Sequence, residues 1–382
     1  MPGALSWDLF CRVIDNYGDA GVCWRLARQL AREHEARVRL WVDNLEVLHA
    51  LHPDVDPVAP IQRACGVEIR LSNGDPSLPE PPGDVVIEAF GCGLPPRYAA
   101  AMTRRTPPPL WIVLEYLSAE DWVAQHHGLP SPPPGLALRR YFFFPGFTRD
   151  TGGLLRESDV AARRAAFGAG EREAFWRSCG LPPAPRDSLV VSLFAYDAAP
   201  AAPLLHCWEH GAEEVVVAVP EGHMARHTRA YFGGASGSVM RRGSLEARIL
   251  PFLPQPRYDE LLWCCDVNFV RGEDSFVRAQ WAERPFVWQI YPQGEGAHRL
   301  KLDAFLDLYT NGLESAAAAA LRAFWNCWNH IDAAPVNVAE AWRGFRSHAR
   351  ALEAHAALWP ERVVQGGHLT ARLAQFARER VK

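Results

Sequence analysis

The sequence predicts an α/β protein made of two Rossmann-like halves. Three observations carry that expectation. Apolar runs rich in β formers alternate with helical stretches through the first 117 residues. The same alternation starts again at residue 188, after an irregular aromatic break. The chain has 382 residues, where a domain usually holds about 100–200. Strand–helix alternation favours a parallel sheet covered on both faces. Ligands of such sheets bind outside the carboxyl ends of the strands, so two halves of this kind are expected to hold a ligand between those ends.

Each element has a local reason. "LSWDLFCRV" is an apolar run of strand length, and "GVCWRLARQLARE" follows with Val22, Leu26 and Leu30 on one helical face. "ARVRLWVD", "VEIRLS", "DVVIEAF" and "PLWIVLEYL" read as four further strands. The stretch "YFFFPGFTRDTGGLLRE" (141–157) has no period and closes a first domain, 1–150. "SDVAARRAAFGAGEREAFWRSCG" then reads as one helix, capped by Ser158 or Asp159 and stopped by Gly180. Residues 151–184 are therefore expected to connect the domains. In the second domain, 185–355, "SLVVSLFAY", "EEVVVAVPEG", "EARILPFL", "DVNFVRG" and "RPFVWQIY" read as strands. "APLLHCWEHG", "RYDELLWCC" and "EDSFVRAQWA" read as the helices between them, and the remainder of the chain is helical. No fixed-period repeat is present, which excludes a solenoid.

Composition narrows the class. The formal net charge is −4 and the pI about 6.4. This argues against a general electrostatic grip on nucleic acid or an anionic membrane. The basic pairs Arg104-Arg105, Arg139-Arg140 and Arg241-Arg242 make no long run. Nine cysteines without a CxxC pair read as free thiols in a reducing, cytoplasmic space. Neither a secretory signal nor an apolar stretch of transmembrane length is expected.

Chemistry concentrates at strand-to-helix turns. "IDNYGDAGVCWRLARQL" (14–30) puts Asp15 and Asp19 at the first such turn. Acids there serve either as turn and cap residues or as carboxylates aimed into a cleft. "DVNFVRGEDSFVRAQWA" (266–282) places Arg271 at a strand tip and Ser275 in the first turn of a helix, both suited to a diphosphate. Glu273 and Asp274 would repel a phosphate unless they cap the helix or face a sugar or cation. "SLFAYD" ends a strand with Phe194 and Tyr196 on one side, and "VWQIYPQ" ends another with Tyr291 and Gln293. Aromatic groups at such tips either stack on a nucleobase or pack in the core. The "FGCGLP" turn (90–95) is a lone GxG, and the absence of GxGxxG and GxxxxGK[ST] counts against dehydrogenase and P-loop chemistry. "HCWEH" (206–210) fits H-x-x-E-H and "DVD" (54–56) fits a metal–nucleotide DxD. Short patterns of this kind recur by chance, so ordinary helix-face histidines and a solvated loop are the expectation for them.

The opening block and "RGEDSFVRAQWAERPFVWQIYPQ" together resemble the bacterial protein-arginine rhamnosyltransferases that modify elongation factor P. "YFFFPGFTRDTGGLLRE", "LPFLPQPRYDELLW" and "HRLKLDAFL" extend the resemblance along nearly the whole chain. It implies a GT-B fold, two Rossmann-like domains facing a central cleft, with the final segment 356–382 returning to the N-terminal domain. It implies a TDP-L-rhamnose donor held mainly by the C-terminal domain, and inverting transfer to an arginine of elongation factor P, which activates that factor for ribosomes stalled at polyproline. No metal and no other cofactor is expected. On the family pattern Asp15 and Asp19 are the acidic pair, Asp19 the base, and Glu273 a third functional acid. Phe194, Tyr196, Phe252, Gln255, Arg271, Asp274, Ser275 and Tyr291 fall on donor-binding positions. The run "AYDAAP" after Phe194 departs from the more polar run of the family.

The residues suit that chemistry. A guanidinium is a poor nucleophile because it stays charged, with a pKa of about 13.8, and its lone pairs are delocalised. Carboxylates beside it can hold it and take one proton as the C–N bond forms. Arg271 can stabilise the departing diphosphate. "LEYLSAEDWVAQHHG" (114–128), acidic and aromatic, is the expected docking loop for the acceptor. Two other readings remain: a GT-B enzyme with a small or lipid-linked acceptor, and a nucleotide-sugar-binding protein without catalysis.

Overall fold

The computed structural model describes residues 4–14, 17–72, 81–292, 296–331 and 337–381. The chain divides into two compact units, Met1–Ser158 with Glu361–Lys382, and Asp159–Pro360. The segment 151–184 is thus split between them at Ser158, and the chain re-enters the first unit at Glu361 rather than at 356.

Among the described residues, unit 1 holds a seven-stranded sheet. Its strands are β1 (Ser6–Cys11), β2 (Arg37–Val42), β3 (Ile61–Ala64), β4 (Val67–Leu71), β5 (Val85–Ala89), β6 (Leu110–Leu114) and β7 (Arg140–Phe143). The order is β3-β4-β2-β1-β5-β6-β7, parallel throughout except for β3 against β4. The central strands β5 and β6 are buried along their whole length, as strands covered on both faces must be.

Polar groups in this sheet are buried with partners. Asp8 in β1 is fully buried. It accepts from Arg39 at 2.5 and 2.6 Å, the Gly83 N–H at 2.7 Å, the Trp41 indole at 3.3 Å and the Tyr98 hydroxyl. A carboxylate so deeply desolvated stays in the core only with such a set. Burial, then Asp8's charge and its hydrogen bond, push the Tyr98 hydroxyl well above its ordinary pKa.

Unit 2 repeats the topology. Its strands are β8 (Leu189–Leu193), β9 (Val215–Pro220), β10 (Val239–Arg242), β11 (Leu245–Leu250), β12 (Val267–Arg271) and β13 (Phe286–Gln289). The order is β10-β11-β9-β8-β12-β13, with only the edge strand β10 antiparallel. The helix Ser315–Trp328 packs its aromatic residues on this sheet: Phe324 and Trp328 meet Phe269 of β12 at 5.9 and 4.7 Å, and Trp325 meets Phe286 of β13 at 5.4 Å.

Several elements differ from the sequence reading, among them the helix His223–Tyr231, which it did not include. "RYFF" forms the edge strand β7, because its aromatic residues meet Phe376 of the last helix, Leu369–Arg380: Tyr141 and Phe143 each lie 5.5 Å from it. The single helix expected over 158–180 is two, Val160–Ala166 and Ala169–Ser178. The break falls at Gly168, whose N–H turns to the Glu171 carboxylate at 2.8 Å and starts the second helix. The pair β3 and β10 also differs: both are short antiparallel edge strands without a strong apolar period.

The C-terminal segment is clasped to unit 1 where two backbones nearly touch. The Leu154 N–H donates to Gly367 C=O at 3.4 Å and the Leu369 N–H to Leu154 C=O at 2.9 Å. Gly153 has φ +75°, and a Cβ there would lie 2.3 Å from the Gly367 carbonyl oxygen.

Candidate functional site

Each sheet reverses its strand order once, and a parallel sheet offers its ligand crevice at that point, beyond the carboxyl ends. In unit 1 the reversal lies between β1 and β5. Asp19 stands there, in the first turn of the helix Gly18–Glu33, only 3% exposed. Its Oδ2 accepts the Ile14 N–H at 2.9 Å and its Oδ1 accepts the Tyr116 hydroxyl at 3.3 Å. A buried carboxylate held by two donors is oriented as well as solubilised. Asp15, the other member of the expected pair, lies outside the described residues.

Tyr116 follows β6 and stacks on Phe90 after β5, centroids 4.4 Å apart and 15° from parallel. Phe90 has φ +56°, a costly backbone state for an aromatic residue. Its N–H is held by Leu114 C=O at 2.7 Å. Beyond it, Gly91 and Gly93 both take positive φ and face open space, with no atom within 4 Å of where a Cβ would stand. Glu88 of β5 anchors this turn, accepting the Gly93 N–H at 3.0 Å and the Trp111 indole at 3.1 Å. Burial, with a contribution from Glu88's charge, raises the Glu115 carboxyl.

In unit 2 the reversal lies between β8 and β12. Arg271 ends β12, and its guanidinium sits 4.5 Å from the ring centres of both Phe194 and Tyr196. Such stacking holds a guanidinium by its face and leaves its edge N–H groups for an anion. The Tyr196 N–H donates to the Gln289 side chain at 2.6 Å, and Tyr291 meets the Tyr196 ring edge-on at 5.4 Å. Tyr291 is 51% exposed and Phe252, beyond β11, is 37% exposed. Buried Gln255 donates to Asp274 at 3.2 Å. Glu273 immediately precedes the helix Asp274–Gln280 without capping it through its side chain.

The Ser275 hydroxyl, read from sequence as a phosphate contact, accepts the Arg271 N–H at 3.0 Å and donates to the Arg271 carbonyl. It shapes the turn that presents Arg271. The helix behind it has only seven residues, so its dipole is short and Arg271 is the main cation at this tip. The helix is fixed from below by a buried ion pair: Arg278 bonds Asp259 at 2.9 and 2.7 Å, with both side chains at most 2% exposed.

Sequence reading missed Gln289, Asp259 and Arg278. Gln289 lies inside "VWQIY", where alternation carried the only signal. Asp259 and Arg278 lie within two short helices, Gln255–Cys264 and Asp274–Gln280, and carried no signal of their pairing. The "DVD" acids belong to a self-bonded turn, with the Val58 N–H on Asp56 Oδ1 at 2.9 Å and the Asp56 N–H on Gln62 at 2.7 Å. Gln293 lies outside the described residues. Among the described residues no helix is long and apolar enough to cross a membrane.

Known proteins resemble the chain in sequence and in structure. The sequence model of the family "Elongation-Factor P (EF-P) rhamnosyltransferase EarP" matches residues 7–378. The chain is 47% identical to a protein-arginine rhamnosyltransferase of Pseudomonas putida over 98% of both chains. It is 46% identical to that of Pseudomonas aeruginosa, over 97% of this chain and 98% of the relative. A solved structure described as the structural basis for EarP-mediated arginine glycosylation of translation elongation factor EF-P aligns with a TM-score of 0.69 at 34% identity, covering 98% of this chain and 99% of that one. Acinetobacter baumannii MurG and the calicheamicin glycosyltransferase CalG4 align at TM-scores of 0.51 with 12% and 13% identity, a likeness of fold. With them the architecture is that of the GT-B glycosyltransferases.

Proposed function

The chain belongs to the elongation factor P rhamnosyltransferase family and is a glycosyltransferase, and on that premise we propose that it moves L-rhamnose from TDP-β-L-rhamnose to an arginine side chain of elongation factor P, with inversion. The observation that carries the donor side is the guanidinium of Arg271 stacked on Phe194 and Tyr196 at a strand tip. It offers a protein-borne cation for the leaving diphosphate, with Gln255, Phe252, Asp274 and Tyr291 as further donor contacts and Ser275 shaping the turn. The activity is proposed to need no metal for that reason.

On the acceptor side Asp19 is the proposed base. The arginine nitrogen attacks the anomeric carbon, the bond to the TDP oxygen breaks, and the guanidinium proton passes to the Asp19 carboxylate as TDP leaves with the electron pair. Burial and two donors hold that carboxylate in one orientation, which supports the role. Asp15 and Glu273 are proposed as the further acids that bind the cationic guanidinium. Trp122, in the helix Asp121–His126, and Tyr116 are both exposed aromatic residues, which supports 114–128 as the proposed docking loop. A cytoplasmic location accords with nine free cysteines.

Intact-mass spectrometry of elongation factor P, incubated with this chain and TDP-L-rhamnose in EDTA, tests the proposal. A gain of one deoxyhexose, located on arginine by fragmentation, is the expected result. A gain that requires added metal would overturn the metal-independent reading, and no gain while TDP still binds would point to another acceptor.

A further inference from the structure

We propose that His206, Glu209 and His210 form a zinc-type divalent metal site on unit 2, separate from the residues assigned to transfer. One ligand atom from each lies within 4.8 Å of the other two. His206 and His210 sit one turn apart at the end of the helix Ala201–Glu209, so their rings project from one face, 4.2 Å between centroids.

Two further features prepare these groups. The His210 Nδ1 lies 3.0 Å from the His206 carbonyl, which can only accept, so Nδ1 is the donor there and Nε2 is the nitrogen left to face a metal. Zinc-bound histidines are oriented in this way by a backbone carbonyl. Glu209 is divided between two tasks. Its Oε2 accepts the Tyr231 hydroxyl and lies 3.2 Å from Arg242 Nε, while Oε1 faces His210 Nε2 at 3.9 Å. Arg242 is itself held over Tyr231 and Phe232, at 4.6 and 5.1 Å, which keeps it behind the carboxylate.

Zinc bonds to nitrogen and oxygen are about 2.0–2.2 Å long. Ligand atoms then stand roughly 3.5 Å apart, a closure that rotation of the exposed His206 imidazole and small side-chain shifts supply. Two imidazoles and one carboxylate suit zinc or cobalt with water in the fourth position. The place is far from the donor residues by topology. The Glu209 carbonyl accepts the Ser244 N–H at 3.0 Å, just before β11 begins. That is the amino edge of the sheet, whereas Phe194, Arg271 and Tyr291 lie beyond its carboxyl edge. The site therefore stands independently of the proposed transfer chemistry.

Titration of the full chain with Co²⁺, followed by absorption, tests this. Saturable visible d–d bands are expected, without the near-ultraviolet band of a thiolate ligand. His206→Ala or His210→Ala should each weaken binding by about tenfold or more, and the double variant should abolish it. All these side chains reach solvent, so the variants keep the fold. Unchanged binding in the double variant, a thiolate band, or no saturation by about 1 mM cobalt would overturn the proposal.

Discussion

Tyr116 donates its hydroxyl to Asp19 across the carboxyl ends of two strands, 97 residues apart in sequence and 3.3 Å apart in space. One oxygen of Asp19 is thereby fixed, and the Ile14 N–H fixes the other. Asp19→Asn should lower rhamnosyl transfer by about 10²–10⁴-fold, the usual worth of a general base, while TDP affinity stays at the wild-type value. Tyr116→Phe should cost about tenfold in kcat with little change in donor KM, since one hydrogen bond to the Asp19 carboxylate is lost. Single-turnover rates with equilibrium TDP binding separate the two; normal turnover in Asp19→Asn removes it as the base.

Arg271 is predicted to act through shape as well as charge. Arg271→Lys keeps the charge and loses both the stacking on Phe194 and Tyr196 and the paired N–H groups. Calorimetry should show TDP binding weakened by about 1.5–3 kcal/mol in Arg271→Lys as well as in Arg271→Ala. Full affinity in the lysine variant would mean a point charge suffices.

The Arg278–Asp259 pair should be costly to break and cheap to replace. Asp259→Ala removes the carboxylate that two bonds of the buried Arg278 guanidinium reach, with an expected loss of about 3–5 kcal/mol, read as a lower urea midpoint. An Asp259→Leu, Arg278→Met double variant should recover most of it. Donor affinity should fall in the single variant because the helix behind Arg271 loses its anchor.

His127 supplies a pH dependence with a definite sign. Burial, aided by the nearby charge of Arg372, lowers its pKa from 6.5 to about 4, while its Nδ1 accepts the Phe144 N–H at 3.1 Å. Between those values the unfolded chain binds a proton that the folded chain refuses, so stability falls as pH drops from 6.5 towards 4. His127→Asn keeps an acceptor and removes the titration. Its stability relative to wild type should therefore rise on acidification through that window, as thermal unfolding across pH would show.

Gly153→Ala tests the clasp on the C-terminal segment. The added Cβ meets the Gly367 carbonyl oxygen at 2.3 Å and occupies a left-handed backbone. Backbone strain alone costs about 1–2 kcal/mol, and faster proteolysis within 361–382 is the expected readout.

Much of this molecule was legible before folding was considered. The strands from β1 to β13 that lie inside the sheets announce themselves as apolar runs because both their faces are covered. The turns after β1, β8 and β12 carry their acids, aromatics and Arg271 in plain view, since such turns need polar and small residues regardless of tertiary context. β3 and β10 were not legible, because an edge strand half in water needs no apolar period. β7 was hidden for a different reason: its aromatic residues are apolar on account of a helix more than 200 residues further along the chain.

The sequence by itself determined the α/β class, the doubling of the fold, the family and the residues that stand at the strand tips, all of which depend on local pattern or on kinship along the chain. Tertiary structure alone decided what each polar group is bound to. Only folding turns the Ser275 hydroxyl onto the Arg271 backbone, sets Tyr116 on Asp19, and pairs Arg278 with Asp259. The physical reason is that a buried polar group must take whatever partner the fold brings within about 3 Å, and strand order, which sequence pattern does not encode, chooses that partner.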